Sequence, residues 1–399
     1  MDSIPGRWNV LSGRDNWKNL LDPLDLDLRR YLIHYGEKAQ ATYDNFNNQK
    51  QSKYAGSAIY TKRHMLNSVG LLKANPFRYN VVKYLYATSE ISVPDAFIMK
   101  SLAKDPIYQE SNWMGYVAVA TDEGKKALGR RDILIAWRGT VRPIEWVKDF
   151  QFPLVSASSL VGKDSKDANV HQGVLSIYTS SDPKSRYNKT SARDQVLEEV
   201  RKLVEAFKKE DISITITGHS LGGALSTLNA ADIVANGYNK TKGRPKKVCP
   251  VTVMAFGSPH VGDSNFRDVF QAMDHLHILR TVNAPDIVSV IPPPPYVGIG
   301  PTLQIDSRKS PYLKRGDTEK WHSLEPAYLH TVAGTQGPKG GFRFEVKRDI
   351  SLVNKHVDVL ADKYLVPGGW WCQRNKGMVQ QNDGSWKLED YDKDELILL

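Results

Sequence analysis

The chain has 399 residues, a formal net charge of +10 and 41% hydrophobic residues. A mean hydropathy of −0.44 and the lack of any apolar run near the ~20 residues of a membrane span exclude an integral helical membrane protein, while leaving enough apolar residues for a sizeable core. Two cysteines, Cys249 and Cys372, are too few for a disulfide framework and have no metal-ligand spacing.

The positive charge favours a polyanionic partner, either nucleic acid or an anionic membrane surface, or else has no specific role. The basic residues are scattered, apart from short clusters such as KGRPKK at 242–247, and no nucleic-acid motif accompanies them. No basic-then-apolar leader opens the chain, so a cytosolic address is the expectation. Asn188-Lys189-Thr190 and Asn239-Lys240-Thr241 match the glycosylation sequon; without a secretory signal they read as surface loops.

In chain order, residues 1–110 are rich in Trp, Tyr and charge and read as a helical region with loops, LDPLDLDLRRYLIHYGEKAQATYDNF being its clearest stretch. From WMGYVAVAT at 113–121 the character changes to short β-rich runs. DILIAWRGT at 132–140, ISITITGHS at 212–220, VTVMAFGSP at 251–259 and LHILRTVNAPDIVSVIP at 276–292 follow, the last leaving through an extended IPPPP exit. Between them lies an amphipathic stretch at 191–211, where Val196, Val200, Leu203, Val204 and Phe207 recur at helical spacing. Alternating strands and helices predict an α/β fold with a mostly parallel central sheet covered by helices on both faces. One domain is expected over 1–399, with a helical N-terminal region 1–110, a catalytic core 111–365 and a C-terminal extension 366–399. In that extension Trp370 and Trp371 read as core residues rather than lipid contacts.

The run TITGHSLGGALSTLNAA at 215–231 carries the chemistry. Ile212, Ile214 and Ile216 alternate with Ser213, Thr215 and Thr217, the strand stops at Gly218, and a small-residue helix runs to Gly237. Strand, tight turn and helix form the context that G-x-S-x-G requires, with Gly218, Ser220 and Gly222 at its fixed positions. The glycines are expected to admit the turn and expose the Ser220 hydroxyl. Ser220 then sits at a helix N-terminus, where the Leu221 amide is the natural first donor to an oxyanion.

A serine nucleophile needs a base and a group to orient it, and in α/β-hydrolases these follow in the order Ser, Asp, His. Asp286, in NAPDIV after an apolar run, is the candidate acid. His219 reads as packing or hydrogen bonding beneath the elbow, His171 as a structural hydrogen-bonder, and His260, His275 and His277 precede Asp286. His322, His330 and His356 remain; His322 in EKWHSLEPAYLHTVAG is preferred as base, with His330 its competitor.

Together IAWRGT, GHSLGGAL, AFGSPHVGD, TVNAPDIV and HSLEPAYLH resemble the class 3 lipases, and among them the plant cytosolic phospholipase A1 group, over roughly residues 8–365. The resemblance implies an α/β-hydrolase fold, with Ser220 as nucleophile, Asp286 as acid and His322 as base. It places Thr140 and Leu221 at the oxyanion hole and requires neither cofactor nor metal. It further implies hydrolysis of the sn-1 ester of glycerophospholipids at a peripheral membrane surface. Triacylglycerol, monoacylglycerol or galactolipid hydrolysis uses the same elbow, and a catalytically silent lipase-like binding protein is the alternative of another class. The sequence departs from the family's H-x-L-E-x-Y-L-H segment by one residue, at Pro326-Ala327, which is expected to rotate His330.

Overall fold

The computed structural model describes residues 4–107, 111–140, 153–162, 165, 167–243, 247–314 and 318–389. A seven-stranded sheet runs β1 (Tyr79–Ala87), β2 (Asn112–Ala120), β3 (Arg131–Trp137), β4 (Ile212–His219), β5 (Val251–Phe256), β6 (Leu276–Asn283) and β7 (Thr302–Ile305), in spatial order identical to chain order. The first two pairings are antiparallel, whereas β3 through β7 are parallel. This is the α/β-hydrolase architecture. One expectation needs correction: the region 1–110 is not only helices and loops, because β-branched and aromatic YNVVKYLYA pairs with β2 as an edge strand; β7, after the proline run, is a further strand that the sequence reading did not locate. Among the described residues no helix is long and apolar enough to cross a membrane.

Alternation divides the core in two. Ile133, Ile135, Ile212, Ile214, Ile216, Val251 and Val253 face one side, against Val196, Val200 and Val204 of α3 (Ala192–Ala206) and Leu225 and Leu228 of α4 (Leu221–Ala235). Leu134, Ala136, Met254 and Phe256 face the other, against Leu28, Tyr31, Leu32 and Tyr35 of α2 (Leu26–Asp44). The short α1 (Ile4–Leu11) precedes these helices and contributes Ile4 and Leu11 to that second core. Helix α3 starts at a capping box, Ser191 with Asp194, that satisfies two of its first amide donors.

On the second face Ser213, Thr215 and Thr217 of β4 are buried along with the apolar residues. Their hydroxyls require partners, since an unsatisfied buried donor costs roughly 1–3 kcal/mol. Asp132, fully buried at the start of β3, accepts from Ser213 Oγ at 2.6 Å, Thr215 Oγ1 at 2.7 Å, Tyr35 Oη at 2.8 Å and Tyr79 Oη at 2.6 Å. Arg130, also fully buried, lies 3.4 Å from Asp132 and donates to Ser213 Oγ at 2.9 Å and Tyr35 Oη at 2.8 Å. Thr217 Oγ1 donates to the Tyr35 carbonyl at 3.2 Å. The polar stripe of β4 is thus the seat of α2.

Both sequon asparagines are buried, contrary to the surface-loop reading: Asn188 Nδ2 donates to the Tyr86 carbonyl at 2.8 Å and Asn239 Nδ2 to the Cys249 carbonyl at 3.0 Å. Cys249 is buried and Cys372 exposed, and the two are not joined in a disulfide. Trp370 is buried with Nε1 donating to the Ser351 carbonyl at 2.8 Å, and Trp371 Nε1 donates to the Asp44 carbonyl at 3.1 Å.

Asp132→Ala would strand the buried Arg130 charge and four donors, so unfolding in urea should show a loss of about 3–5 kcal/mol. A loss below about 1 kcal/mol would mean that water enters and solvates the site.

Buried histidines set a second expectation. Desolvation pushes His171 and His330 down to about 3 and holds His34 and His219 well below 6.5. The unfolded chain, with histidine near 6.5, therefore binds more protons than the native state below that pH, and stability falls as pH falls. Each such group contributes up to about 1.4 kcal/mol per pH unit. Urea midpoints measured from pH 7 to pH 5 should decline steadily below about 6.5; a flat midpoint over that span would contradict the assignment of neutral histidines.

Candidate active site

Only Ser220 separates the end of β4 from the start of α4, and its backbone sits at φ 58°, ψ −129°. A non-glycine residue in that region is strained by about 1–3 kcal/mol. The surrounding packing enforces it. A Cβ on Gly218 would overlap the Gly222 carbonyl, and one on Gly222 would overlap the Trp137 carbonyl at the end of β3. Ser220 N–H donates to the Phe256 carbonyl of β5 at 3.0 Å, and its own carbonyl accepts from Gly223 at 2.9 Å. The helix start is thereby pressed against three strand ends.

The expected exposure of the hydroxyl is not seen. Ser220 is fully buried, and among the described residues Oγ has no hydrogen-bond partner. The glycines admit the turn and the close approach of α4; they do not open the serine to water. Leu221 opens α4, so its N–H has no intrahelical acceptor and points with the positive end of the helix dipole. Thr140, also buried, follows Gly139, where a Cβ would overlap the His219 carbonyl and lie 3.2 Å from Ser220 Cβ. The chain leaving β3 therefore passes along the elbow at these two residues.

Asp286 caps a one-turn 3-10 helix, Ile287–Val290, just beyond β6. Its Oδ1 accepts from Val288 N–H at 2.9 Å, and its Oδ2 accepts from His322 Nδ1 at 2.7 Å and from the Tyr328 hydroxyl. Gly257, at φ 53°, makes room for this cluster, since a Cβ there would lie 2.7 Å from Tyr328 Oη and 3.2 Å from Asp286 Oδ2. The carboxylate holds the proton on His322 Nδ1, leaving Nε2 as the basic atom. Nε2 is buried and, like Ser220 Oγ, has no hydrogen-bond partner among the described residues. The structure thus joins Asp286 to His322 and places the elbow beside them, without the serine–histidine hydrogen bond. Such bonds tighten only when substrate is bound in many enzymes.

His322 ends a short helix, Thr318–His322, whose last carbonyls need partners. Asn283 Nδ2, from the end of β6, donates to the Trp321 carbonyl at 2.9 Å, and His219 Nε2 donates to the His322 carbonyl at 2.7 Å. After Ser323, the six residues Leu324–Leu329 form a π-helical turn in which His330 N–H reaches the Glu325 carbonyl. That turn holds Pro326 and Ala327 and sets Tyr328 on Asp286. His330 is turned away to Ser310 Oγ at 2.7 Å and stacks on Phe342 at 4.9 Å, while His356 Nε2 pairs with Asp44 Oδ1 at 2.7 Å. Neither reaches Asp286.

Sequence reasoning missed Tyr328, Asn283 and the partners of His219. Tyr328 lies inside the histidine motif and Asn283 three residues before Asp286, so proximity in sequence was a usable signal for both. Among the described residues no cluster of three or more His, Cys, Asp or Glu could hold a metal ion. An oriented imidazole beside an elbow serine and free helix amides can drive acyl transfer.

Residues 134–296 match the family model for lipase (class 3). Phospholipase A1-IIgamma of Arabidopsis thaliana is 52% identical over 393 residues, covering 98% of this chain and 94% of the relative. Phospholipase A1-II 1 of Oryza sativa subsp. indica is 50% identical over 397 residues, covering 99% and 98%. Among solved structures, the nonglycosylated Yarrowia lipolytica LIP2 lipase superposes with a TM-score of 0.47 at 17% identity, over 71% of this chain and 82% of that one. Near-full-length identity at this level, on a fold with the elbow and the Asp–His pair in place, makes this chain a member of the class 3 lipase family, within its phospholipase A1-II group.

Proposed function

We propose that the chain hydrolyses the sn-1 acyl ester of glycerophospholipids. The observation that carries the chemistry is the 2.7 Å contact between Asp286 Oδ2 and His322 Nδ1 beside the strained Ser220 elbow. The positional choice rests on the relatives' name. In this mechanism His322 Nε2 takes the Ser220 proton as Oγ attacks the ester carbonyl, and Asp286 stabilises the imidazolium that forms. The amides of Leu221 and Thr140 receive the oxyanion. His322 then protonates the departing lysophospholipid oxygen. Water, deprotonated by the same nitrogen, releases the fatty acid and restores Ser220.

Profiling the acids released from phospholipid with different sn-1 and sn-2 chains tests the reading: the sn-1 acid should appear first. Ser220→Ala and His322→Ala should each lower turnover on the order of a million-fold. Because Ser220 Oγ makes no hydrogen bond among the described residues, its removal should leave the melting temperature nearly unchanged. His330→Ala should keep turnover within about tenfold and act on stability, since it removes a buried ring from an aromatic cluster. Release of the sn-2 acid, or a Ser220→Ala protein retaining a tenth of the activity, would overturn the assignment.

The proposal includes a cytosolic enzyme meeting its substrate at a membrane surface, supported by the net charge of +10. Attraction to anionic lipid adds about 1 kcal/mol per basic residue near the surface and is screened over about 8 Å at physiological salt. Binding to vesicles containing anionic lipid should weaken as salt rises, with binding to neutral vesicles unchanged; equal, salt-insensitive binding to both would remove the charge from this role.

A further inference from the structure

The Tyr43 hydroxyl, near the end of α2, lies 2.7 Å from His219 Nδ1. On the opposite side of the ring, Nε2 lies 2.7 Å from the His322 carbonyl. A carbonyl can only accept, so Nε2 carries the proton and Nδ1 offers its lone pair to the Tyr43 hydroxyl. His219 is buried, and desolvation keeps it neutral, well below its ordinary pKa, which permits this single tautomer. Gly139, the residue before Thr140, packs directly against the same Tyr43 oxygen. Gly139 has no room for a side chain, because a Cβ would overlap that oxygen and the His219 carbonyl.

The two bonds form one directed chain: Tyr43 O–H to His219 Nδ1, His219 Nε2–H to the carbonyl of His322. It begins on the N-terminal helix, at a hydroxyl packed against the segment bearing an oxyanion-hole donor, passes through the residue beside the nucleophile, and ends on the backbone of the base. The His219 and His322 rings are 4.5 Å apart, so the base is also packed against the ring that tethers it.

We propose that His219 and Tyr43 are positioning residues that hold the base and the oxyanion loop at a common distance from Ser220, His219 acting through the backbone of His322 and Tyr43 through His219 and Gly139. The inference deepens the acyl-hydrolase reading and rests on it. A helix of five residues is too short to be stable by itself, so the turn ending at His322 is fixed by the contacts it makes. The bond to its terminal carbonyl, beside that of Asn283 to the Trp321 carbonyl, sets the backbone from which the imidazole reaches Asp286. Misplacing a reacting group by about 1 Å costs on the order of a hundredfold in rate.

Replacing His219 separates its two bonds. In His219→Gln the amide nitrogen stands near Nε2 and keeps the donor to His322; in His219→Asn the amide oxygen stands near Nδ1 and keeps the acceptor for Tyr43 but falls short of the carbonyl. His219→Ala loses both. Counting competent sites with a stoichiometric phosphonylating ester removes differences in folded fraction. Per competent site, His219→Ala and His219→Asn should lose about 10- to 100-fold in kcat with KM held within about twofold, and His219→Gln should stay within about threefold of the parent.

Tyr43→Phe, which keeps the ring and its packing, should lose kcat and not KM, by less than His219→Ala. A spectroscopic reading independent of turnover is the low-field proton resonance of His322 Nδ1–H against Asp286, which should persist in His219→Gln and broaden or vanish in His219→Asn. Equal kcat and equal spectra for the Asn and Gln variants would overturn the proposal. If the His219 variants do not fold, an unchanged kcat in Tyr43→Phe does so. Failure of the parent protein to release fatty acid would instead sink the acyl-hydrolase reading, leaving the spectra to judge the positioning.

Discussion

Asp132 is the constraint on which the rest of the molecule rests. It is a fully buried carboxylate with four hydroxyl donors and an arginine around it. A charge so placed is tolerated only when its partners are complete, because removing it from water costs several kcal/mol before any attraction is recovered. Two of the donors are on β4, one is on β1 and one is on α2. The network therefore cannot be satisfied by the parallel sheet alone. The antiparallel edge and the N-terminal helix must both be in place.

Anchoring α2 at Tyr35 also decides what its far end reaches. Tyr31 and Tyr35, four residues apart, share one helix face, and Tyr43 lies two turns further along the helix. From Tyr35 to Tyr43 the helix rises about 12 Å. From Thr215 to His219 the adjacent strand advances about 13 Å. The two elements run in step, held midway by Thr217 on the Tyr35 carbonyl, and the register fixed at Asp132 delivers the Tyr43 hydroxyl to His219. Gly36 allows the close approach, since a Cβ there would overlap Leu329 of the π-helical turn. Asp44, the next residue, takes Lys355 Nζ at 2.7 Å and His356 at 2.7 Å, tying the C-terminal segment to the same helix end.

The site shares this economy of means, in that each reactive group is fixed by backbone as much as by side chains. The elbow strain at Ser220 is sustained because three strand ends and two glycines leave α4 no other path. Asp286 is held on one oxygen by a main-chain amide and on the other by His322 and Tyr328. Two successive carbonyls of the base-bearing helix are taken by side chains from the ends of β6 and β4. Preorganisation of this kind moves the cost of ordering from the reaction to folding.

Much of this was written locally and could be read locally. Short β-rich runs located β2 to β6, the helical period located α3, and Gly218-His219-Ser220-Leu221-Gly222 announced a strand–turn–helix elbow, because each depends on contacts between near neighbours in the chain. Chain order and motif resemblance singled out Asp286 and His322. What the sequence did not disclose depends on residues far apart in it. Ser213, Thr215 and Thr217 look like a solvent face until α2, some 180 residues away, covers them. Tyr79–Ala87 became a strand by pairing with β2, not by pattern alone. Ser220 was buried by the closing of the structure around it. The two roles of His219, acceptor on one nitrogen and donor on the other, exist only once residues 43 and 322 meet at the elbow. Propensity and periodicity act over a few residues, so the sequence alone determined the elements and the chemical types at the site. Hydrogen-bond partnership and burial are properties of the assembled core, and only the tertiary structure decided which of those groups meet, which are hidden, and which tautomer each histidine holds.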